Sequence, residues 1–290
     1  MLYRKITFST ILGADIDVFV LRLSQKPVKN RLKIVFETFL TRHNGIWFNL
    51  YNLINIVNST IHWKGPIFVN CSSNSHTNPR FKLFVFDMDS TLIDAEVIDE
   101  LADAAGAAGE VSKITALAMN GEMDYTESFR KRVTFLKGLS YEKAMATVEK
   151  IQIMPGAPEL IEFIHSIGGK TAMVTCGFRI AADRVQHDLN IDYAFSNELV
   201  VSDGILTGEA TGPLRTTNSK EKVFEKLVVD LGIKFEECVV VGDGANDICL
   251  FKKAGYSIAF NAKPLVQKHA NVAVLEKDLR CVIPILDNLL

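Results

Sequence analysis

No apolar run reaches about 18 residues, the length a helix needs to cross a bilayer, so no membrane-spanning segment is expected. Cysteine is sparse and unpatterned. Cys71, Cys176, Cys238, Cys249 and Cys281 are odd in number, scattered, and form neither a CxxC pair nor a Cys/His ligand spacing. That argues against a thiolate metal site and a disulfide framework, and the thiols read as reduced, mostly core residues of a cytoplasmic protein. Acidic residues are scarce at one end only. Residues 1–80 hold three Asp/Glu against ten Lys/Arg, whereas the remainder holds 31 against 22, and the 290-residue chain nets −2. An acidic body of this kind argues against nucleic acid as a partner.

The first 80 residues stand apart from the rest. They are rich in Asn, Ile, Phe and basic residues, and they close with the polar linker-like stretch NCSSNSHTNPR. Ile46–Val57 suits one amphipathic helix or a pair of short strands. Three roles stay open for this N-terminal extension: an organellar targeting segment, a small regulatory or dimerisation module, or an extension with no independent role.

From Phe81 onward the pattern is α/β. FKLFVF (Phe81–Phe86) is a short apolar run of the kind found at the centre of a parallel sheet, and it drives straight into Asp87 and Asp89. From about Ala95 to Lys150, apolar residues recur at helical spacing: Val97, Ile98 and Leu101, then Val111, Ile114 and Leu117, then Phe129, Val133 and Leu136. Several short helices with no strand among them read as an inserted cap, over about residues 95–155, rather than a crossover. KTAMVTCG, CVVVGDGAND and YSIAF supply further strands, and the Asp-Gly pair in ELVVSDGILTG signals a small β-hairpin. Strand–helix alternation of this kind makes a doubly wound parallel sheet of the Rossmannoid type over residues 81–290.

Three strands end in polar clusters: Asp87 with Asp89, Thr175, and Asp243 with Asp247, while Lys220 starts the helix before the last of them. In a parallel sheet all these ends share one edge, where ligands bind. Carboxylates gathered there repel one another unless a cation intervenes, and oxygen donors without His or Cys suit Mg²⁺. A lysine and a hydroxyl beside such a centre suit a phosphoryl group. One carboxylate can accept that group as an aspartyl-phosphate while its neighbour protonates the departing alkoxide, which makes Asp87 the candidate nucleophile and Asp89 the candidate acid/base. Read alone, the two aspartates can also simply stop a strand.

DMDSTLI (Asp87–Ile93), TCGF (Thr175–Phe178), Lys220 and GDGAND (Gly242–Asp247) resemble, in order, the four motifs of the haloacid dehalogenase superfamily. Within it, residues 81–290 are similar to the phosphoserine phosphatases, with further matches at Glu96, Met119 and SFRKRVTFLKG (Ser128–Gly138). The resemblance implies hydrolysis of O-phospho-L-serine, the last step of serine synthesis, or alternatively phosphoryl transfer to another hydroxyl such as that of homoserine. It implies a metal held by Asp87, Asp243 and the Asp89 carbonyl, with Asp247 in support. Thr175, Gly177 and Lys220 would bind the phosphoryl group. Arg132 would pair with the substrate carboxylate, Glu96 with its ammonium, Tyr125 and Met119 would wall the pocket, and Asn246 would lie near the leaving oxygen. Cys176 departs from the family's glycine and narrows the expected pocket, and Tyr125 stands where Phe is common. A monomer or homodimer acting on a small molecule is expected.

Overall fold

The computed structural model describes residues 24–28, 31–35, 80–119 and 122–289. The chain divides into two compact units, Met1–Thr77 and Asn78–Leu290. In the first, the described residues form two strands, β1 (Ser24–Val28) and β2 (Arg31–Val35), paired antiparallel. Ile46–Val57 and the polar stretch over residues 70–79 lie outside the described residues.

In the second unit β3 (Leu83–Phe86) is followed by four helices without an intervening strand: α1 (Val97–Ala104), α2 (Ala108–Met119), α3 (Tyr125–Thr134) and α4 (Tyr141–Val148). Then come α5 (Ala157–Ser166), β4 (Lys170–Phe178), α6 (Arg179–Leu189), β5 (Tyr193–Ser202) and β6 (Ile205–Thr211). The chain closes with α7 (Ser219–Asp230), β7 (Cys238–Gly242), α8 (Ile248–Phe251), β8 (Tyr256–Phe260), α9 (Pro264–Gln267), β9 (Val272–Val274) and α10 (Ile283–Asp287). The strands form one seven-stranded sheet in the order β6-β5-β4-β3-β7-β8-β9, parallel throughout except for the β5–β6 pair. The strand order reverses at β3, so the crevice beyond its carboxyl end is the switch point where such sheets bind ligands.

Period-two alternation along β3 explains why its whole run is apolar. Phe84 and Phe86 enter one buried cluster with Val239, Val241, Leu160 and Val185, while Leu83 and Val85 enter the other with Val240, Phe224 and Leu227. Both faces are covered by helices, and each buried Phe contributes roughly 1.5–3 kcal/mol.

The helical insertion buries Val97, Leu101, Val111, Phe129, Val133 and Leu136, as their spacing predicts. Leu117 differs, at 37% exposed. The inward side of α2 at that level borders an open cavity, through Thr115 and Ala118, rather than a filled core. The two connections to the sheet run side by side: Ile93 bridges Ile153, Asp94 N–H donates to Gln152 O (2.9 Å), and Met154 N–H donates to Leu92 O (2.9 Å). The β5–β6 hairpin turns through Asp203 and Gly204 at φ 49° and 75°, the left-handed pair an Asp-Gly turn requires. Its tip supports the insertion, Tyr141 N–H donating to Gly204 O (2.8 Å) and Gly138 N–H to Leu206 O (2.9 Å). Cys176, Cys238, Cys249 and Cys281 are free thiols. Among the described residues no helix is long and apolar enough to cross a membrane.

Candidate active site

Asp87 continues the β3 ladder by donating its N–H to Val241 O (3.1 Å), which fixes its carboxylate at the sheet edge. Its Oδ2 lies 2.6 Å from Lys220 Nζ, and Asp247 Oδ1 lies 2.8 Å from the same nitrogen. Burial alone would lower the Lys220 ammonium, but the Asp247 and Asp87 carboxylates outweigh it and raise its pKa well above the usual lysine value. Asp247 reaches this position because Gly242 has no side chain: a Cβ there would collide with the Asp247 carboxylate. Lys220 is delivered by the first turn of α7, just after Asn218 at φ 63°.

Asp87, Asp243 and Asp247 each offer an oxygen within 4.8 Å of the others. Burial, with the charges of Asp87 and Asp247, pushes Asp243 up to about 8. Burial likewise raises Asp247 to about 6, against the pull of Lys220. Thr91 Oγ1 donates to Asp243 Oδ1 at 3.2 Å. Three carboxylates crowded in this way are a site that a divalent cation would relieve. Their all-oxygen donor set fits Mg²⁺.

Asp89 stands aside from that cluster. Its Oδ1 accepts from Val97 N–H (2.8 Å), the first residue of α1, and Thr175 Oγ1 approaches its Oδ2 at 3.4 Å. Burial, reinforced by Glu96 and Asp87, holds its carboxyl well above the ordinary carboxylate range and so favours its protonated form. Gly177 N–H donates to Thr175 Oγ1 at 2.8 Å. No side chain fits at Gly177, where a Cβ would lie 2.7 Å from Asp89 Oδ2 and 2.8 Å from Met88 Cε.

A cavity of about 550 Å³ opens over these groups. Asp87, Asp89, Cys176, Gly177, Lys220, Asp243 and Asn246 line it from the sheet, and Glu96, Tyr125 and Arg132 from the insertion. Thr175 and Asp247 are buried just behind the wall. The Met119 side chain, expected in the pocket, lies outside the described residues, and Met123 lines the cavity. Arg132 Nε is buried without a hydrogen-bond partner among the described residues, as is Ser128 Oγ one turn earlier on α3. Burial raises Glu96, tempered by the 2.7 Å bond from Ser90 Oγ, and it raises Asp99 against the nearby Arg132. The Tyr125 hydroxyl donates to Leu214 O at 3.3 Å, and the Cys176 thiol, pushed up by burial, sits beside it with Asn246 Nδ2 at 4.0 Å. Sequence reasoning gave no role to Thr91, Asp99 or Ser128. Spacing held the signal for two of them: Asp99 is one turn after Glu96, and Ser128 one turn before Arg132.

A model of haloacid dehalogenase-like hydrolases matches residues 81–255, more than half of the chain. The chain belongs to that family. Among relatives of this hydrolase, a phosphoserine phosphatase of Methanocaldococcus jannaschii is 45% identical over 202 residues, covering 70% of this chain and 96% of the relative. One of Campylobacter jejuni is 40% identical over 205 residues, covering 71% and 99%. The solved structure of a substrate-bound phosphoserine phosphatase complex is 43% identical with a TM-score of 0.68, covering 71% of this hydrolase and 98% of that chain.

Proposed function

We propose that this hydrolase is a Mg²⁺-dependent phosphoserine phosphatase, releasing L-serine and phosphate from O-phospho-L-serine. The observation that carries the reading is the pairing of two unlike ends in one cavity. At one end lie Asp87, Lys220 and the carboxylate cluster, at the other Arg132 with an unpartnered buried Nε and Glu96. A phosphorylated amino acid needs one cationic and one anionic contact beyond its phosphate. The guanidinium is the group suited to a carboxylate fork.

Asp87, Asp243 and Asp247 would hold the metal, with the Asp89 carbonyl, and when bound it neutralises phosphoryl charge. Lys220 and the Thr175 hydroxyl hold the phosphoryl oxygens, and the Gly177 N–H orients that hydroxyl by donating to its oxygen. Asp87 attacks phosphorus as the bond to the serine Oγ breaks. Asp89, whose protonated form burial favours, gives its proton to that departing oxygen. The resulting aspartyl-phosphate is cleaved by a water that returns a proton to Asp89, releasing phosphate and restoring Asp87. The insertion, joined to Asp89 through Val97 N–H, excludes bulk water during these steps.

The test is phosphate release from O-phospho-L-serine against a panel of small phosphomonoesters, with Mg²⁺ and with EDTA, alongside Asp87→Asn. A Mg²⁺-dependent preference for phosphoserine that Asp87→Asn abolishes is the expected result. Equal rates across the panel overturn the substrate assignment.

A further inference from the structure

Strand β4 pairs with β5 through Ala172, Met173 and Val174, then breaks register, and pairing resumes only at Phe178 opposite Asn197. The break frees the backbone of Thr175, Cys176 and Gly177 from the ladder. Buried peptide groups released in this way need other partners. The Gly177 N–H finds the Thr175 hydroxyl, and the Cys176 carbonyl is taken by Asn197 Nδ2 at 3.0 Å. Asn197 is 0% exposed and its other groups are also committed. Nδ2 donates to Leu214 O at 3.1 Å, and Oδ1 accepts from Leu214 N–H at 2.9 Å. The same Leu214 carbonyl accepts from the Tyr125 hydroxyl of the insertion. Gly212 closes over the amide at φ 117°, where a Cβ would lie 2.8 Å from Asn197 Cα.

We propose that Asn197 is a positioning residue for phosphoryl recognition: by gripping the Cys176 carbonyl it aims the Gly177 N–H at the Thr175 hydroxyl and so sets that hydroxyl, and through Leu214 it ties the turn to the segment leading to Lys220. The Cys176 carbonyl and the Gly177 N–H belong to one planar trans peptide and point in opposite directions, so fixing one fixes the other. The side chain replaces the ladder bond that the register break removes. Because the inference rests on the Thr175 hydroxyl, oriented by Gly177, as a phosphoryl donor, as given in the proposed function, its test reads the phosphate end of the site separately from the amino-acid end.

Asn197→Asp keeps the size and the acceptor but sets a carboxylate oxygen against two carbonyls. Asn197→Ser, a smaller change, serves if the first variant fails to fold. For each, inhibition by inorganic phosphate and by L-serine is measured with Mg²⁺, together with kcat, KM and melting temperature. The expected result is inhibition by phosphate weakened about 10- to 100-fold, with kcat/KM falling in step, while inhibition by L-serine stays within about twofold. A folded variant with unchanged phosphate inhibition overturns the proposal. So does a parallel loss for phosphate and serine, which marks a merely structural residue. If the wild type does not hydrolyse phosphoserine, the functional reading fails by itself, and inorganic phosphate still reports on Asn197 against whichever phosphomonoester is hydrolysed.

Discussion

Replacing Gly177 by alanine puts a methyl group in place of one hydrogen at the tightest point of the site. The new Cβ would stand 2.7 Å from Asp89 Oδ2, 2.8 Å from Met88 Cε and 3.0 Å from Thr175 Oγ1, where ordinary contact begins near 3.4 Å. Something must give by about 0.7 Å. Met88 is fully buried and Thr175 is held by the Gly177 N–H itself, so the Asp89 carboxylate is the group with most freedom. Its other oxygen is anchored to Val97 N–H, so it swings rather than translates. Misplacing a catalytic group by 1 Å costs up to about 10²-fold, so kcat on phosphoserine is expected to fall roughly 30- to 100-fold. Overpacking should also cost about 1–3 kcal/mol of stability. Steady-state phosphate release gives kcat and KM, and denaturant unfolding gives the stability. A folded Gly177→Ala enzyme with kcat within about threefold of wild type refutes the reasoning, since Asp89 would then tolerate a displacement that acid catalysis forbids.

Arg132→Lys keeps the charge and loses the planar fork. KM for phosphoserine should rise about 10- to 100-fold, and the preference for phosphoserine over O-phosphoethanolamine, which lacks the carboxylate, should collapse. An unchanged preference ratio would place the carboxylate elsewhere. Mg²⁺ should raise the melting temperature, by an amount equivalent to about 2.7 kcal/mol when it is present at 100 times its Kd. Because Asp243 sits at about 8 and Asp247 at about 6, binding releases protons and should tighten as pH rises from 6 to 8. Identical melting in Mg²⁺ and EDTA would contradict this. Partial burial alone would raise Asp192, but Lys170, Thr171 and His165 outweigh it and hold it at about 2, against 3.8 ordinarily. A depressed pKa stabilises the fold above the unfolded value and loses that contribution as pH falls through the folded one. Asp192→Asn should therefore cost about 1–2 kcal/mol at pH 7, allowing for solvent screening, and the gap to wild type should close between pH 4 and 2. Denaturant unfolding at several pH values checks it, and a gap that stays constant down to pH 2 would be the wrong result.

Local chemistry made part of this molecule readable from its letters. A strand buried on both faces has no room for polar residues, so Phe81–Phe86 announced the sheet centre and Asp87 its edge. Asp203-Gly204 announced a turn because few residue pairs adopt two left-handed conformations in succession. The helical insertion was legible for as long as its residues packed on filled core, and Leu117 failed where α2 faces a cavity. Asn197 and Thr91 were not legible as site components. Their partners lie 21 and 152 positions away, at Cys176 and Asp243, and a polar residue within a strand or in the turn after one carries no mark of which distant atom it will meet. Cys176 posed a question the structure answers locally, its thiol taking a place against Tyr125 and Asn246 while its backbone is held by Asn197.

The side-by-side crossing at Ile93 and Ile153 has a consequence for how such a protein can change over generations. Since the chain leaves the sheet and returns to it at one spot, everything between behaves as a cassette on a fixed handle. A different cassette can be carried there without re-registering any strand of the sheet. The carboxylates and lysine proposed to break the phosphate bond sit on the handle, and Arg132, Glu96 and Tyr125, proposed to meet the rest of the substrate, ride in the cassette. Chemistry and selectivity are thereby inherited on separate stretches of sequence, free to diverge at different rates.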